Sequence, residues 1–413
     1  MIDISNKSTA FLNFNTLKFD TVFKTQVLNW IQIYEYYGIK FDLVMFKSIR
    51  EIFHKFKKEK KYIRNNFHNR LYYIYIFKPD SVAGKIYIFF VFLLILMRYW
   101  HKKSIVVQIR SPHYHSVFLV LKKIFLGKLR IIYDSRAALS EERKYGQLKE
   151  KNHFNEKEVK HLLKKEREMV KLSDLVFCVS NVLKKYHLKN DPAAENTKFF
   201  ISPCNADSDL FYFSDEIRNK IRHKLFLEKR KVLIYSGGLE MPWHVPGEIF
   251  NFFQRIHEID NTCFLLLLTH DEDIAEIFLK EYKIQKSNIG VISLDNQEVG
   301  DYLNAADLSI LLREDVPMNN VASPTKFAEY LMTGLPVVIS ENVGDFSQFV
   351  KDHNCGYVLP SDYNSEDLQK IILNLNTPED LEVRKEISQL GKKHFSKRAK
   401  IEAKLKKYYS LCR

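Results

Sequence analysis

Ala305–Ser340 reads AADLSILLREDVPMNNVASPTKFAEYLMTGLPVVIS. An apolar strand, a polar loop, a helical segment and a second apolar strand follow one another in that order, the unit from which parallel α/β sheets are built. Ser323 is expected to cap the helix with Pro324 at its first position, and Gly334 with Pro336 to close it before VVIS. The first turn carries Lys326 where the helix dipole favours an acid. An anion held there removes the conflict, because the free amides of a helix start and a nearby lysine form a phosphate cradle. Glu329 lies one turn on along the same face, so one helix end would offer a cation to phosphate and a carboxylate to a sugar hydroxyl. The plainer alternative is a solvated helix with a surface Lys–Glu pair.

Outward from this unit, 413 residues exceed one core and suit two domains of about 200 residues each. The 46% hydrophobic content without a repeated period argues for ordinary globular domains. Nine of the 13 glycines fall at or after Gly237, so close backbone approach to a ligand is better provided for in the second half. Lys and Arg against Asp and Glu give +20 for residues 1–200 and −6 for 201–413. That asymmetry suggests a polyanion for the first half, an anionic membrane surface or nucleic acid. Five scattered cysteines argue against a disulfide framework or zinc site and fit a reducing compartment. MIDISNKSTAF lacks the features of a signal peptide. The longest apolar run, Ile86–Met97, is shorter than a bilayer span. It fits a buried helix or one dipping into a membrane interface with Arg98, Tyr99 and Trp100.

Short apolar runs alternate with helical segments along the whole chain. Strands are expected near residues 10–13, 41–46, 71–77, 105–109, 130–134, 175–180 and 199–202, then 232–236, 263–269, 289–293, 308–312, 336–340 and 357–359. Ligands in doubly wound sheets bind beyond the carboxyl ends of strands. That rule selects Gly237, Gly238, Asp295, Arg313, Glu314 and the loop to Ser323, and in the first half Arg110, His113 and His115. SPCNADSDLFYFSDE, residues 202–216, interrupts the pattern and marks the boundary. Its Asp207 and Asp209 form an Asp-x-Asp, a spacing that can hold a metal ion, for which loop capping is the simpler account. HFSKRAKIEAKLKKYYSL reads as a basic amphipathic helix.

SPTKFAEYLMTGLPVVIS resembles the nucleotide-sugar-binding helix of retaining glycosyltransferases of the GT-B fold, the family-four group. LRIIYDSRA with Glu141 and Glu142, KLSDLVFCVSNVLKKYH, FFISPCNADSDLF, VLIYSGGLEMPWH and YLNAADLSILLRED occur in the order that bacterial surface-polysaccharide members show. The resemblance implies two Rossmann-like doubly wound α/β domains facing a cleft. Residues 1–205 would form the acceptor side, 206–390 the nucleotide-sugar domain, and 391–413 a helix packing back on the first domain. It implies catalytic roles for Glu329 on the ribose hydroxyls and for Lys326 and Arg313 on the departing diphosphate. Donor contacts would come from Gly237, Gly238, Asp295, Ser323, Pro324, Thr325, Arg110, Asn319 and Asn320. It implies no metal and no cofactor beyond the donor substrate, and retention through same-face attack.

Two departures stand out. Where many relatives place a glutamate eight residues before the helix glutamate, this chain has Val321; where they carry an arginine after the first strand of the second domain, it has Gly238, and Arg313 is the candidate replacement. Asp134, Arg136 and Glu142 fall where an acceptor would bind, and the family's glycine-rich loop is missing from FLNFNTLKFDTVF. The expectation is a cytoplasmic enzyme, peripheral on the inner face of the plasma membrane, that extends a glycan on a lipid-linked acceptor in surface polysaccharide synthesis. The rivals are a nucleotide-sugar epimerase of the same fold and a non-catalytic basic protein that binds nucleic acid.

Overall fold

Runs of branched and aromatic residues with few charges form strands buried on both faces, as parallel sheets covered by helices require. The structure, a computed structural model, describes residues 8–15, 23–48, 56–76, 81–149, 154–196, 199–375 and 381–412. Residues 1–7, 16–22 and Phe77 lie outside the described residues. With them lie most of the N-terminal stretch, the segment in which the glycine-rich loop was sought and the end of one expected strand.

The first sheet contains β1 (Thr9–Asn15), β2 (Phe41–Ser48), β3 (Leu71–Ile76), β4 (Ser104–Ile109), β5 (Leu129–Ser135), β6 (Leu175–Cys178) and β7 (Phe199–Ile201), in the order β3-β2-β1-β4-β5-β6-β7. The second contains β8 (Lys231–Ser236), β9 (Cys263–Leu268), β10 (Ile289–Ile292), β11 (Leu308–Leu311), β12 (Val337–Ser340) and β13 (Gly356–Leu359), in the order β10-β9-β8-β11-β12-β13. Every pairing is parallel. Each sheet reverses its winding once, between β1 and β4 and between β8 and β11, and such reversals open a crevice at the carboxyl ends of the strands.

Six helices matter below. Helix α1 (Val82–Met97) is capped by the Ser81 hydroxyl, which accepts from Gly84 N at 3.0 Å. Ile88, Phe92 and Leu96 are buried, whereas Phe90 is 55% and Leu94 72% exposed. A helix apolar all round thus buries one side and leaves the other uncovered. Helix α2 (His115–Ile124) packs beside it, and α3 (Leu139–Lys149) follows β5. Helix α4 (Thr325–Met332) leads into β12, and Gly334 at φ 72° turns the chain where a Cβ would meet the Arg384 carbonyl at 2.5 Å.

The stretch read as one terminal basic helix is two. Helix α5 (Leu381–Phe395) packs on α4, and the chain breaks at Ser396, whose hydroxyl caps α6 (Lys397–Ser410) by accepting from Ala399 N at 3.0 Å. The break lets α6 cross to the first domain. There Tyr408 is fully buried among Phe11, Tyr34, Phe41 and Phe177, with ring centroids 5.1–6.2 Å apart. Its hydroxyl donates to Gln108 Oε1 at 2.6 Å. Edge-to-face pairs of this kind add about 0.5–1.5 kcal/mol each beyond area burial. Lys397 and Lys404 of this basic segment are buried.

Candidate active site

β8 ends at Ser236 and turns at Gly237, whose φ of 125° suits glycine. A Cβ there would stand 2.5 Å from both Cε and Nζ of Lys326, so the missing side chain lets the lysine reach across the turn. Lys326, in the first turn of α4, donates to the Tyr235 hydroxyl at 2.8 Å and lies 4.0 Å from the ring centroid. Tyr235 donates in turn to the Gly238 carbonyl at 2.9 Å, and His244 Nδ1 reaches the same oxygen at 2.6 Å. Burial, then the charges of Lys326 and Arg313, push the His244 pKa down to about 3, so the imidazole is neutral and donates from Nδ1.

Arg313 follows β11, its amide donating to Ser340 Oγ at 2.8 Å and its guanidinium to the Trp243 carbonyl. Both cations therefore have neutral partners, and among the described residues neither is in an ion pair. Burial pushes the Lys326 ammonium well down, and Arg313 adds to this against the pull of Glu329. Burial raises the Glu329 carboxyl to about 7, with Lys326 and Lys397 pulling the other way. Desolvated cations such as Lys326 and Arg313 attract an anionic ligand strongly.

The capping expectation for Ser323 is wrong. Its hydroxyl accepts from Cys204 N at 2.9 Å, Pro324 takes the N-cap position, and no side chain caps α4. A long-range amide outcompeted the local one, and the uncapped helix start suits an anion. Thr325 Oγ1 accepts from Gln26 Nε2 at 3.4 Å, a second link between the domains. Val321 packs into the apolar cluster of the first domain, and its carbonyl accepts from Ser180 Oγ at 2.8 Å. Its position thus serves contact between the domains.

Other expected residues sit apart from this group. Asn319 Nδ2 donates to the Glu314 carbonyl at 2.9 Å and Asn320 Nδ2 to Asp315 Oδ1 at 2.8 Å, so both brace their own loop. Asp295 is exposed beyond edge strand β10, with β9 between it and β8. Arg110 is held within the first domain, donating to Asp134 Oδ2 at 3.0 Å and to Gln26 Oε1 and O at 3.2 and 2.9 Å. His113 Nδ1 lies 3.3 Å from Lys165 Nζ, and His115 Nδ1 lies 3.1 Å from the Pro112 carbonyl. In the Asp-x-Asp, Asp207 Oδ1 accepts from Asp209 N at 3.0 Å and Asp209 pairs with Arg398 at 2.7 Å, a loop turn and an ion pair.

The sequence reading missed Tyr235, Asp271 and Gln26. Asp271 Oδ2 accepts from Leu239 N at 2.6 Å and Glu240 N at 3.2 Å and so shapes the loop after Gly238. It follows β9 at the carboxyl edge, where the strand-end rule applied more fully would have found it. Gln26 carries no local signal.

No family model matches the sequence, and no curated protein matches it significantly. Solved structures do match. Sucrose-phosphate synthase from Thermosynechococcus elongatus superposes with a TM-score of 0.68 at 14% identity, over 98% of this chain and 99% of that one. HepE of Anabaena in complex with UDP-glucose gives 0.67 at 13%, over 97% and 99%. The chain has the GT-B fold. The lipopolysaccharide outer core galactosyltransferase WaaB, in its apo form, gives 0.65 at 12%, over 97% and 99%. In a GT-B fold the two sheets face one another, and the Lys326 group and the Arg110 group stand on opposite walls of the cleft.

Proposed function

We propose that this GT-B chain is a glycosyltransferase that moves a sugar from a nucleoside diphosphate sugar to a glycan acceptor. The observation that carries the reading is the pair Lys326 and Arg313, desolvated, held by neutral partners and placed at an uncapped helix start beyond β8 and β11. Stabilising the departing diphosphate is the main electrostatic task of sugar transfer, and two preorganised cations are suited to it. The carboxylate of Glu329 accepts the ribose hydroxyls, and the amides of the first turn of α4 add to the phosphate site. HepE, solved with UDP and with UDP-glucose, lends support as a protein of the same fold. Membership of the retaining family-four group, with same-face attack and no metal, rests on the sequence resemblance.

The acceptor in this reading is lipid-linked, the product a surface polysaccharide, and the enzyme peripheral on the inner face of the plasma membrane. Among the described residues no helix is long and apolar enough to cross a membrane. The uncovered side of α1 supports docking instead, joined by exposed Leu119 and Val120 of α2. Residues 81–128 hold eight Lys or Arg and no Asp or Glu. Apolar residues set among cations suit an anionic lipid surface.

A thermal-shift screen of nucleoside diphosphates tests the donor site. A ligand at 100 times its Kd adds about 2.7 kcal/mol of stability. Stabilisation by at least one diphosphate, lost in Lys326→Ala, is expected; no stabilisation by any of them overturns the reading. Detection of epimerised donor without acceptor would favour the epimerase.

A further inference from the structure

The carboxyl ends of β4 and β5 meet α6 around a recess whose lining includes Gln26, Trp30, Arg110, Asp134, Arg136 and Lys404. Three of these are cations and one is an acid. Asp134, 1% exposed, serves two of them, with Oδ2 3.0 Å from Arg110 Nε and Oδ1 2.8 Å from Arg136 Nε. The rest of Arg110 is spent on Gln26. Lys404 is 2% exposed, and its ammonium lies 3.3 Å from the ring centroid of Trp30. Among the described residues it forms no hydrogen bond and no ion pair. The lining thus carries a formal charge of +2 in dry surroundings, an arrangement that a fold without a ligand does not favour.

The recess adjoins the donor helix. Gln26 joins Arg110 to Thr325 in the first turn of α4. Arg136 Nη1 lies 3.8 Å from Cys204 Sγ, and the Cys204 amide donates to Ser323. The cations meant for the diphosphate, Lys326 and Arg313, stand on the other wall, so this second cluster has no role in donor binding as read above. Burial, with Arg136 and Arg110, pushes the Lys404 ammonium well down, and an incoming anion would favour its charged form.

We propose that the recess, whose enclosed part has room for about one water-sized atom, takes one oxygen of an oxyanion of the acceptor, a phosphate or carboxylate on the sugar that takes the new bond, bound by Lys404 and Arg136. This assignment to the acceptor rests on the sugar-transfer reading; the oxyanion site itself does not.

Inorganic phosphate and acetate are titrated against the full chain at ionic strength matched with chloride, following tryptophan fluorescence and the thermal midpoint. A saturable response to one of them is expected, and which one saturates separates phosphate from carboxylate. The fluorescence part should vanish in Trp30→Phe, where Lys404 loses the indole beside it. Lys404→Met should weaken binding at least tenfold, Lys404→Arg should keep it, and Arg136→Gln gives the same readout without touching α6. Saturating UDP should leave the response in place. A response no different from chloride overturns the proposal, as does unaltered binding in both Lys404→Met and Arg136→Gln, or competition by UDP, which would assign the anion to the donor site. Oxyanion binding without nucleotide binding would remove the transferase reading and keep the site; the reverse would do the opposite.

Discussion

Arg110 and Arg136 on the first-domain wall are tied to Asp134, a buried carboxylate, whereas Lys326 and Arg313 on the second-domain wall are held by a tyrosine hydroxyl and a backbone carbonyl. A cation paired with a buried acid depends on that acid, because removing the acid leaves its charge stranded in a dry interior. A cation held by neutral dipoles keeps its charge for a ligand, at some cost to the empty protein. Removing the acid on the first wall should therefore cost stability, and removing a cation on the second should cost function at unchanged stability.

Asp134→Asn should have the largest effect. Burial alone would raise the Asp134 carboxyl; Arg136, Arg110 and Lys404 outweigh it and hold the pKa below the ordinary value. Removing the charge leaves three cations facing one another, and breaking a buried pair costs about 3–5 kcal/mol. Urea unfolding should show that loss. A change under about 1 kcal/mol would mean that the cluster is already wet, and the contrast between the walls would fail.

Lys326→Ala should do the reverse. Transfer should fall at least about a hundredfold, near the 2.7 kcal/mol typical of losing one preorganised donor. Stability of the empty protein should be unchanged or slightly higher, because a cation leaves an unfavourable helix end and Tyr235 keeps its bond to the Gly238 carbonyl. A clear drop in melting temperature with activity intact would make Lys326 structural.

The contrast also explains what could be read in advance. All thirteen strands among the described residues lay near their expected places, since burial on both faces leaves apolar runs that need no tertiary knowledge. The end of α4 at Gly334 was legible for the same local reason. The start was not, because the Ser323 hydroxyl bonds an amide 119 residues away. Arg110 obeyed the strand-end rule yet serves Asp134 and Gln26, partners that only folding brings near. The helix break at Ser396 was hidden inside a continuous basic pattern. Local periodicity carried the fold, and long-range polar pairing decided which partners the strand-end residues hold.

Glu329→Gln sharpens the second wall with a smaller effect. Transfer should fall about tenfold, or roughly 1.4 kcal/mol. Because burial raises this carboxyl to about 7 against an ordinary 4.5, its contribution to stability is fully present below pH 4.5 and is lost as pH rises through 7. The empty wild type should thus lose stability relative to Glu329→Gln between pH 5 and 8. Donor affinity should move the other way, rising through pH 7 as the carboxylate ionises, and the rise should be reduced in Glu329→Gln when both are titrated calorimetrically. Parallel profiles in the two proteins would remove Glu329 from the donor site.

The smallest effect on chemistry, with a large one on location, is expected at α1. Phe90 and Leu94 belong to its uncovered side, opposite Phe92, which packs on Phe14 with ring centroids 4.8 Å apart. Because neither exposed side chain fills the core, Phe90→Asp with Leu94→Asp should leave the unfolding free energy within about 0.5 kcal/mol of wild type, as surface changes do. Transfer to a water-soluble acceptor should be unchanged. Binding to anionic vesicles has two parts. Each Lys or Arg near the surface adds about 1 kcal/mol that salt screens, and the inserted apolar face adds a part that salt does not. Sedimentation with vesicles should therefore weaken but persist at high salt for the wild type and vanish at high salt for the double variant. If the variant unfolds, the exposed side is core to something else. If the wild type ignores vesicles at low salt, the acidless stretch 81–128 has another partner and the acceptor need not be held at a membrane.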